Sequence, residues 1–329
     1  VCISMGAIPI SVTQMLSALK QIATGNQFSG TEEAVFIQLR LPRVLLCATG
    51  GAILSVSGVL MQALFRNPIV EPGILGTSAG AALGASFVIG FAGSVSFMLP
   101  IIPIIWLQPI VASIFAAFAT YLVIQLSGRA NLVSTTSLLL SGMSVNAIAV
   151  SLMGFISYFS RDPQARSITF WNLGTFSGAA WGQCWMVLGV GIPGIGYCIR
   201  KSHQLNTLVL GYTDALYAGT AVKKLRKQIL FMNTVMVAVL TGFVGVIAFM
   251  GMIVPHIMRL LVGSNHRVLL PAAAMAGAIL LCLTDLFART ILAPAELPIG
   301  IITSLIGAPL FIFLYRKFSP LGGEGGLYD

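Results

Sequence analysis

Charge is what this sequence has least of. Only 8% of its 329 residues are Asp, Glu, Lys or Arg, and nine are acidic. A chain of that length that is 57% hydrophobic cannot cover a water-facing surface, which excludes a soluble multidomain protein. Histidine is scarce, at three residues, and no His-Glu-x-x-His, Gly-x-Ser-x-Gly or Walker-type phosphate loop occurs. These gaps speak against hydrolytic, metal-dependent or nucleotide-hydrolysing catalysis by this chain itself. The five cysteines (Cys2, Cys47, Cys184, Cys198, Cys282) form no close pair, so they read as small buried residues rather than a thiolate or redox site. Mid-membrane carboxylates are missing as well. Glu71, Asp162, Asp214 and Glu296 fall in connections and Asp285 approaches a segment end, which disfavours proton or sodium coupling. No recognisable signal peptide follows Val1.

What is present is a series of uncharged, helix-length runs at about 44–65, 72–92, 97–126, 136–159, 180–199, 229–250, 268–287 and 298–315, with a shorter piece from Met252 to Gly263. They are continuous rather than alternating, so the expected fold is an all-α polytopic bundle and not a barrel. The length allows roughly nine or ten crossings at about 20 apolar residues each. Counting the short piece as a crossing places Arg66, Arg129, Arg200, Lys201, Lys223, Lys224, Arg226, Lys227, Arg267, Arg316 and Lys317 on one side, which the positive-inside rule makes the cytoplasm. Lys20, Arg40, Arg43, Arg161, Arg166 and Arg289 fall outside. The net charge of +9 therefore reads as topology, not as a nucleic-acid surface. Thirty-five glycines in small-residue clusters predict closely packed helices.

Several segments depart from simple crossings. Arg66 to Gly73 is a Pro-rich connector with opposite charges at Arg66 and Glu71. Arg166 to Gly174 is too short to span and predicts a partial helix on the outer side, with Trp171 as an interfacial anchor or entrance residue. Residues 202–228 form the longest inner connection, amphipathic and broken by Gly211 and Gly219, which suits either an interfacial loop or a docking surface for a soluble partner. His256, after Pro255, reads as a hydrogen-bonded histidine at a helix start or as a cargo contact. Asp285 and Arg289, four residues apart, can pair locally. A transporter driven by a separate ATPase docked on the inner loop fits this pattern better than one driven by buried charges.

The segments Gln38 to Arg43, Ser57 to Gly80, Gly251 to Arg259 with His266-Arg267, and Ala295 to Gly300 followed by Gly307 to Phe311 resemble the bacterial permease family that imports iron-siderophore complexes, haem and cobalamin. The resemblance extends from residue 1 to about 318. It implies a type II ABC importer permease in the bacterial inner membrane, a single domain over 1–329 with a ten-helix fold of which most of the first helix is absent from this sequence. It also implies a homodimer in membrane lipid, two cytoplasmic ATPase subunits that hydrolyse ATP, a periplasmic haem-binding protein, and no permanently bound cofactor or metal.

By that resemblance Arg40, Arg43 and Arg289 match outer-rim arginines that receive the binding protein's carboxylates. Leu208, Gly211, Tyr212, Thr213, Asp214, Ala215, Leu216 and Gly219 match the helices that couple to the ATPase, within the loop 202–228. Ser134, Thr135 and Thr136 match a narrow cytoplasmic gate. The segment from Arg166 to Gly174 looks most like the haem-importing branch, which makes haem the expected cargo and siderophores or cobalamin the alternatives. Tyr158, Arg161, Arg166, Phe170, Trp171 and His256 are the candidate cargo path.

Overall fold

A computed structural model describes residues 2, 11–24, 30–67, 70–91, 103–127, 135–293 and 295–318. All regular structure among them is helical. A short outer helix α1 (Val12–Thr24) precedes α2 (Thr31–Phe65), whose 35 residues include a π-helical turn at Phe36–Arg40. At about 1.5 Å per residue α2 is about 50 Å long, well beyond the hydrocarbon core, so its outer turns project past the apolar layer. It is the hub of the bundle. From Ile53 to Phe65 every residue is buried, and the helix packs against six others.

The remaining elements follow in order. They are α3 (Thr77–Gly90), α4 (Ile104–Leu126), α5 (Thr135–Phe159), the short α6 (Gln164–Asn172), α7 (Trp181–Arg200), α8 (Ser202–Leu210), α9 (Tyr212–Tyr217), α10 (Val222–Val244), α11 (Met250–Val262), α12 (His266–Thr290) and α13 (Ile299–Phe318). Six helices are long and apolar enough to cross a membrane: α2, α4, α5, α7, α10 and α12. Three shorter apolar helices, α3, α11 and α13, complete nine among the described residues. The chain has the helices of a multi-pass membrane protein.

Small residues explain how α2 reaches its neighbours. A methyl group on Gly51 would lie 2.1 Å from the Gly277 carbonyl of α12, and one on Gly58 would lie 1.7 Å from the Gly251 carbonyl of α11. Backbones approach at these crossings because no side chain intervenes. A second small-residue contact joins α3 to α4 through Ala81, Ala85, Ala112 and Ala116. Two pairs of polar side chains meet in this interior. Ser57 of α2 donates to Asn233 of α10, and Thr77 meets Thr120 at 3.0 Å.

The structure corrects four expected boundaries. The run 229–250 is not one helix: α10 ends at Val244, the chain is non-helical to Phe249, and α11 begins at Met250. Gly245 (φ 77°) turns the chain there. The same helix starts at Val222 rather than in the apolar stretch, so Lys223, Lys224, Arg226 and Lys227 lie in its opening turns and the inner connection is shorter than 202–228. Residues 72–92 divide into a 3-10 turn at Pro72–Leu75 and α3. Finally, Pro255 and His256 lie inside α11 rather than at its start. Hydropathy alone hid these breaks because the intervening residues are as apolar as the helices they separate.

Candidate functional site

At the outer end, α2, α12 and the segment before α13 meet in a charge cluster. Arg43 donates through Nη2 and Nε to Asp285, the Nη2 contact being 2.8 Å, and through Nη1 to Glu296 at 2.9 Å. Arg289 Nε approaches the second Asp285 oxygen at 3.6 Å, and its Nη2 donates to the Cys2 carbonyl. The expected pair between Asp285 and Arg289 is therefore the weaker half of the cluster. Arg43 takes the better geometry from a distant helix. Side chains here are largely covered, with Arg43 at 13%, Arg289 at 8% and Asp285 at 3% exposure, whereas Glu296 is 38% exposed. Arg40 is 7% exposed. The three arginines named from the sequence thus share one end of the bundle, but they are held within the chain rather than projecting from it.

The inner face is built differently. Gly211 (φ 150°) separates α8 from α9, a backbone angle that side chains rarely adopt. Asn206 of α8 anchors this pair of short helices: its carboxamide donates to Asn265 at 2.9 Å and accepts the His266 backbone N–H at 2.9 Å. Leu205, Leu208 and Ala215 are buried against the bundle, and Thr207 meets Thr220 at 2.8 Å. Leu208, Gly211 and Ala215, expected among the coupling residues, therefore face inward and position the surface. Tyr212, Thr213, Asp214, Leu216 and Gly219 face outward, joined by Tyr217, which is 91% exposed. Leu210 adds a further exposed apolar group at 73%.

Between the two ends lie the helix breaks. Glu71 follows the extended connector after α2, and its carboxylate accepts the backbone N–H of Phe249 at 2.7 Å. Phe249 has φ 66°, in the left-handed region, immediately before α11. The carboxylate thus caps a helix N-terminus, where its negative charge is favoured. The charge opposite Glu71 in the connector, Arg66, is not its partner. Nearby, Pro72 would touch any side chain placed at Gly251, so the connector, α2 and α11 meet in one place.

A second junction organises the outer half. After α6, Thr175 N–H donates to the Val244 carbonyl at 2.8 Å, while the Gly174 and Leu173 carbonyls accept from Ile299 (3.0 Å) and Gly300 (2.8 Å) at the start of α13. The loop following the half-helix therefore ties together the end of α10 and the beginning of α13.

The candidate cargo residues do not form one cluster. Tyr158 is 83% exposed at the end of α5, and Arg161 and Arg166 are exposed nearby, with the Arg166 guanidinium 5.4 Å from the Phe170 ring centre. Trp171 instead turns inward against the α3–α4 contact. His256 is half-buried on α11, which packs mainly on α2, α12 and α13, whereas α6 packs on α3 and α5. Of the gate residues, Thr136 is exposed at the start of α5, Thr135 opens that helix, and Ser134 lies outside the described residues. No group of three or more His, Cys, Asp or Glu side chains suited to a metal ion occurs among the described residues.

Three contacts were missed by sequence reasoning: the Glu71 cap, the Asn206–Asn265–His266 anchor, and Arg259, which donates to Gln62 of α2 at 2.9 Å. Each joins residues far apart in the chain. A carboxylate beside Pro72-Gly73, in a connector with no cation at helical spacing, was the one sequence signal available for the first.

Comparison with known proteins places this architecture. Residues 1–317 match the FecCD transport family. The hemin transport system permease protein HmuU of Yersinia pestis is 37% identical over 285 residues, covering 86% of this chain and 83% of that protein. The vitamin B12 import system permease protein BtuC of Salmonella typhi is 39% identical over 298 residues, covering 90% and 88%. A metal-chelate type ABC transporter solved in an inward-facing conformation superposes with a TM-score of 0.83 at 31% identity, over 96% of this chain and 94% of that one. The chain belongs to the FecCD transport family, as the membrane-spanning, non-catalytic permease subunit of an ABC-type importer with the type II transmembrane fold.

Proposed function

We propose that this chain forms, as a homodimer, the path by which a metal chelate crosses the inner membrane, driven by ATP hydrolysis in a separate subunit. The observation that carries the reading is the inner surface on α9. Exposed Tyr212, Leu216 and Tyr217 stand on a base of buried Leu205, Leu208 and Ala215 fixed by Asn206. An apolar, aromatic patch on a rigid support is what a soluble partner grips. Dimerisation is supported by α5, whose Leu140, Met143, Phe155 and Tyr158 are 60% or more exposed in the single chain.

A binding protein delivers cargo at the other end in this reading. Arg43 is engaged by Glu296, the most exposed member of the cluster, so a partner's carboxylate would take the place of Glu296 while Asp285 stays in position. Arg289 and Arg40 add positive charge around that exchange.

Haem, favoured from the segment between Arg166 and Gly174, has no advantage over cobalamin: the two relatives named for those cargoes are 37% and 39% identical. Both are tetrapyrrole-derived metal chelates, large amphipathic macrocycles with polar groups at the ring edge. That class suits the exposed cations Arg161 and Arg166 beside the aromatic Tyr158 and Phe170. We therefore place tetrapyrroles first, with cobalamin ranked beside haem, and ferric siderophores as the alternative. Uptake of labelled cobalamin, haem and a ferric siderophore into vesicles carrying the complete transporter tests the order. Accumulation of the siderophore alone would reverse it.

A further inference from the structure

We infer that the groove between α7 and α10 is a binding site for one anionic phospholipid of the cytoplasmic leaflet. The groove encloses about 640 Å³. Its walls are Val190, Pro193 and Tyr197 of α7 and Met232 and Val235 of α10, and its inner end is Arg200. Gly196 leaves it open, since a methyl group there would meet nothing within 4 Å.

Three features select the occupant. From Val190 to Arg200 is ten residues, about 15 Å of helix, which matches half of a hydrocarbon core about 30 Å thick. The apolar walls therefore run the depth of one leaflet. Cations then close the end that meets the headgroups. Arg200 is exposed and has no carboxylate partner among the described residues, and Lys201 is held 5.6 Å above the ring of Tyr197, a groove wall. Lys224, three turns before Val235 on the same face of α10, is likewise exposed and has no carboxylate partner among the described residues. An acyl chain would replace water or disordered lipid along the walls, and a phosphate with a net negative headgroup would meet the unpaired charges. The site is independent of which cargo is carried.

Native mass spectrometry of the purified full chain with added phosphatidylglycerol or phosphatidylcholine tests this. One phosphatidylglycerol should be retained about tenfold or more over phosphatidylcholine, on the scale of about fivefold per cation. Arg200→Gln with Lys201→Gln and Lys224→Gln should bring that ratio near unity, whereas Arg267→Gln, on the same side but away from the groove, should leave it within about twofold of the parent ratio. Gly196→Trp, which fills the groove without removing a charge, should reduce retention of both lipids, with unchanged thermal unfolding establishing that the fold is intact. Equal retention of the two lipids by the unsubstituted protein overturns the proposal. So does an equal loss in Arg267→Gln, which would indicate general surface charge. Cross-linking of Met232→Cys between two copies, with no lipid retained, would assign the groove to a protein interface instead.

Discussion

The Glu71 carboxylate accepts the Phe249 backbone N–H at 2.7 Å, joining two helix breaks separated by 178 residues of sequence. One break lies before α3 and the other before α11, and Phe249 holds a left-handed conformation at the join. The contact satisfies an amide that the interrupted helix would leave bare inside the bundle. Glu71→Ala should cost about 1–3 kcal/mol of stability, the penalty for a buried donor left unpaired. Glu71→Gln retains an acceptor oxygen and should lose less than half as much. Thermal unfolding in lipid nanodiscs measures both, and an alanine variant as stable as the parent would remove the cap from the account.

At the outer end, the two carboxylates on Arg43 should behave unequally. Asp285 is 3% exposed and Glu296 38%. Arg43→Ala leaves buried Asp285 with only its longer contact to Arg289 and should destabilise by up to about 3–5 kcal/mol. Glu296→Gln removes a more solvated partner and should cost about 1 kcal/mol or less. If Glu296 is the group a binding protein displaces, Glu296→Gln should also tighten binding-protein association, read by surface plasmon resonance on the intact transporter. Weaker association would contradict the exchange.

The inner surface separates into groups that touch a partner and groups that hold them. Leu216→Asp and Tyr217→Ala, both exposed, should abolish co-purification of the ATPase and leave unfolding of the permease unchanged. Leu208→Ala removes a side chain 3% exposed and should cost about 2–5 kcal/mol by leaving a cavity. Retention of the ATPase by Leu216→Asp and Tyr217→Ala together would place the contact elsewhere.

Close helix contacts supply a sharper structural test. Gly58→Ala would set a methyl group 1.7 Å from the Gly251 carbonyl, a distance only backbone movement relieves. Overpacking of this kind costs about 1–3 kcal/mol or more. An unchanged unfolding temperature for Gly58→Ala would contradict the α2–α11 crossing.

Much of this architecture was readable from the chain. Long uncharged runs located the crossings, and Gly51, Gly251 and Gly277 belonged to the small-residue clusters that signal close packing, whereas Gly58 stood outside them. The half-helix near Trp171 and the short helices around Gly211 also followed from length and turn residues. What stayed hidden depends on pairing across the fold. Gly245 to Phe249 reads as part of an apolar helix because hydropathy does not register a backbone turn. Arg43 looks like a rim cation until α12 brings Asp285 beside it. Leu208 and Leu216 are both leucines of one amphipathic segment, and only the docking of α8 on α12 through Asn206 decides which is buried.

In the proposed function, a partner's ATP hydrolysis drives transport by this chain and the α9 surface is required for it. This is tested most directly by uptake of labelled cobalamin and haem into proteoliposomes containing the permease, its ATPase and its binding protein. Accumulation is expected with ATP, none with a non-hydrolysable analogue, and none for Leu216→Asp under either condition. Uptake that persists without ATP under an imposed ion gradient, or that is unaffected by Leu216→Asp, would contradict it.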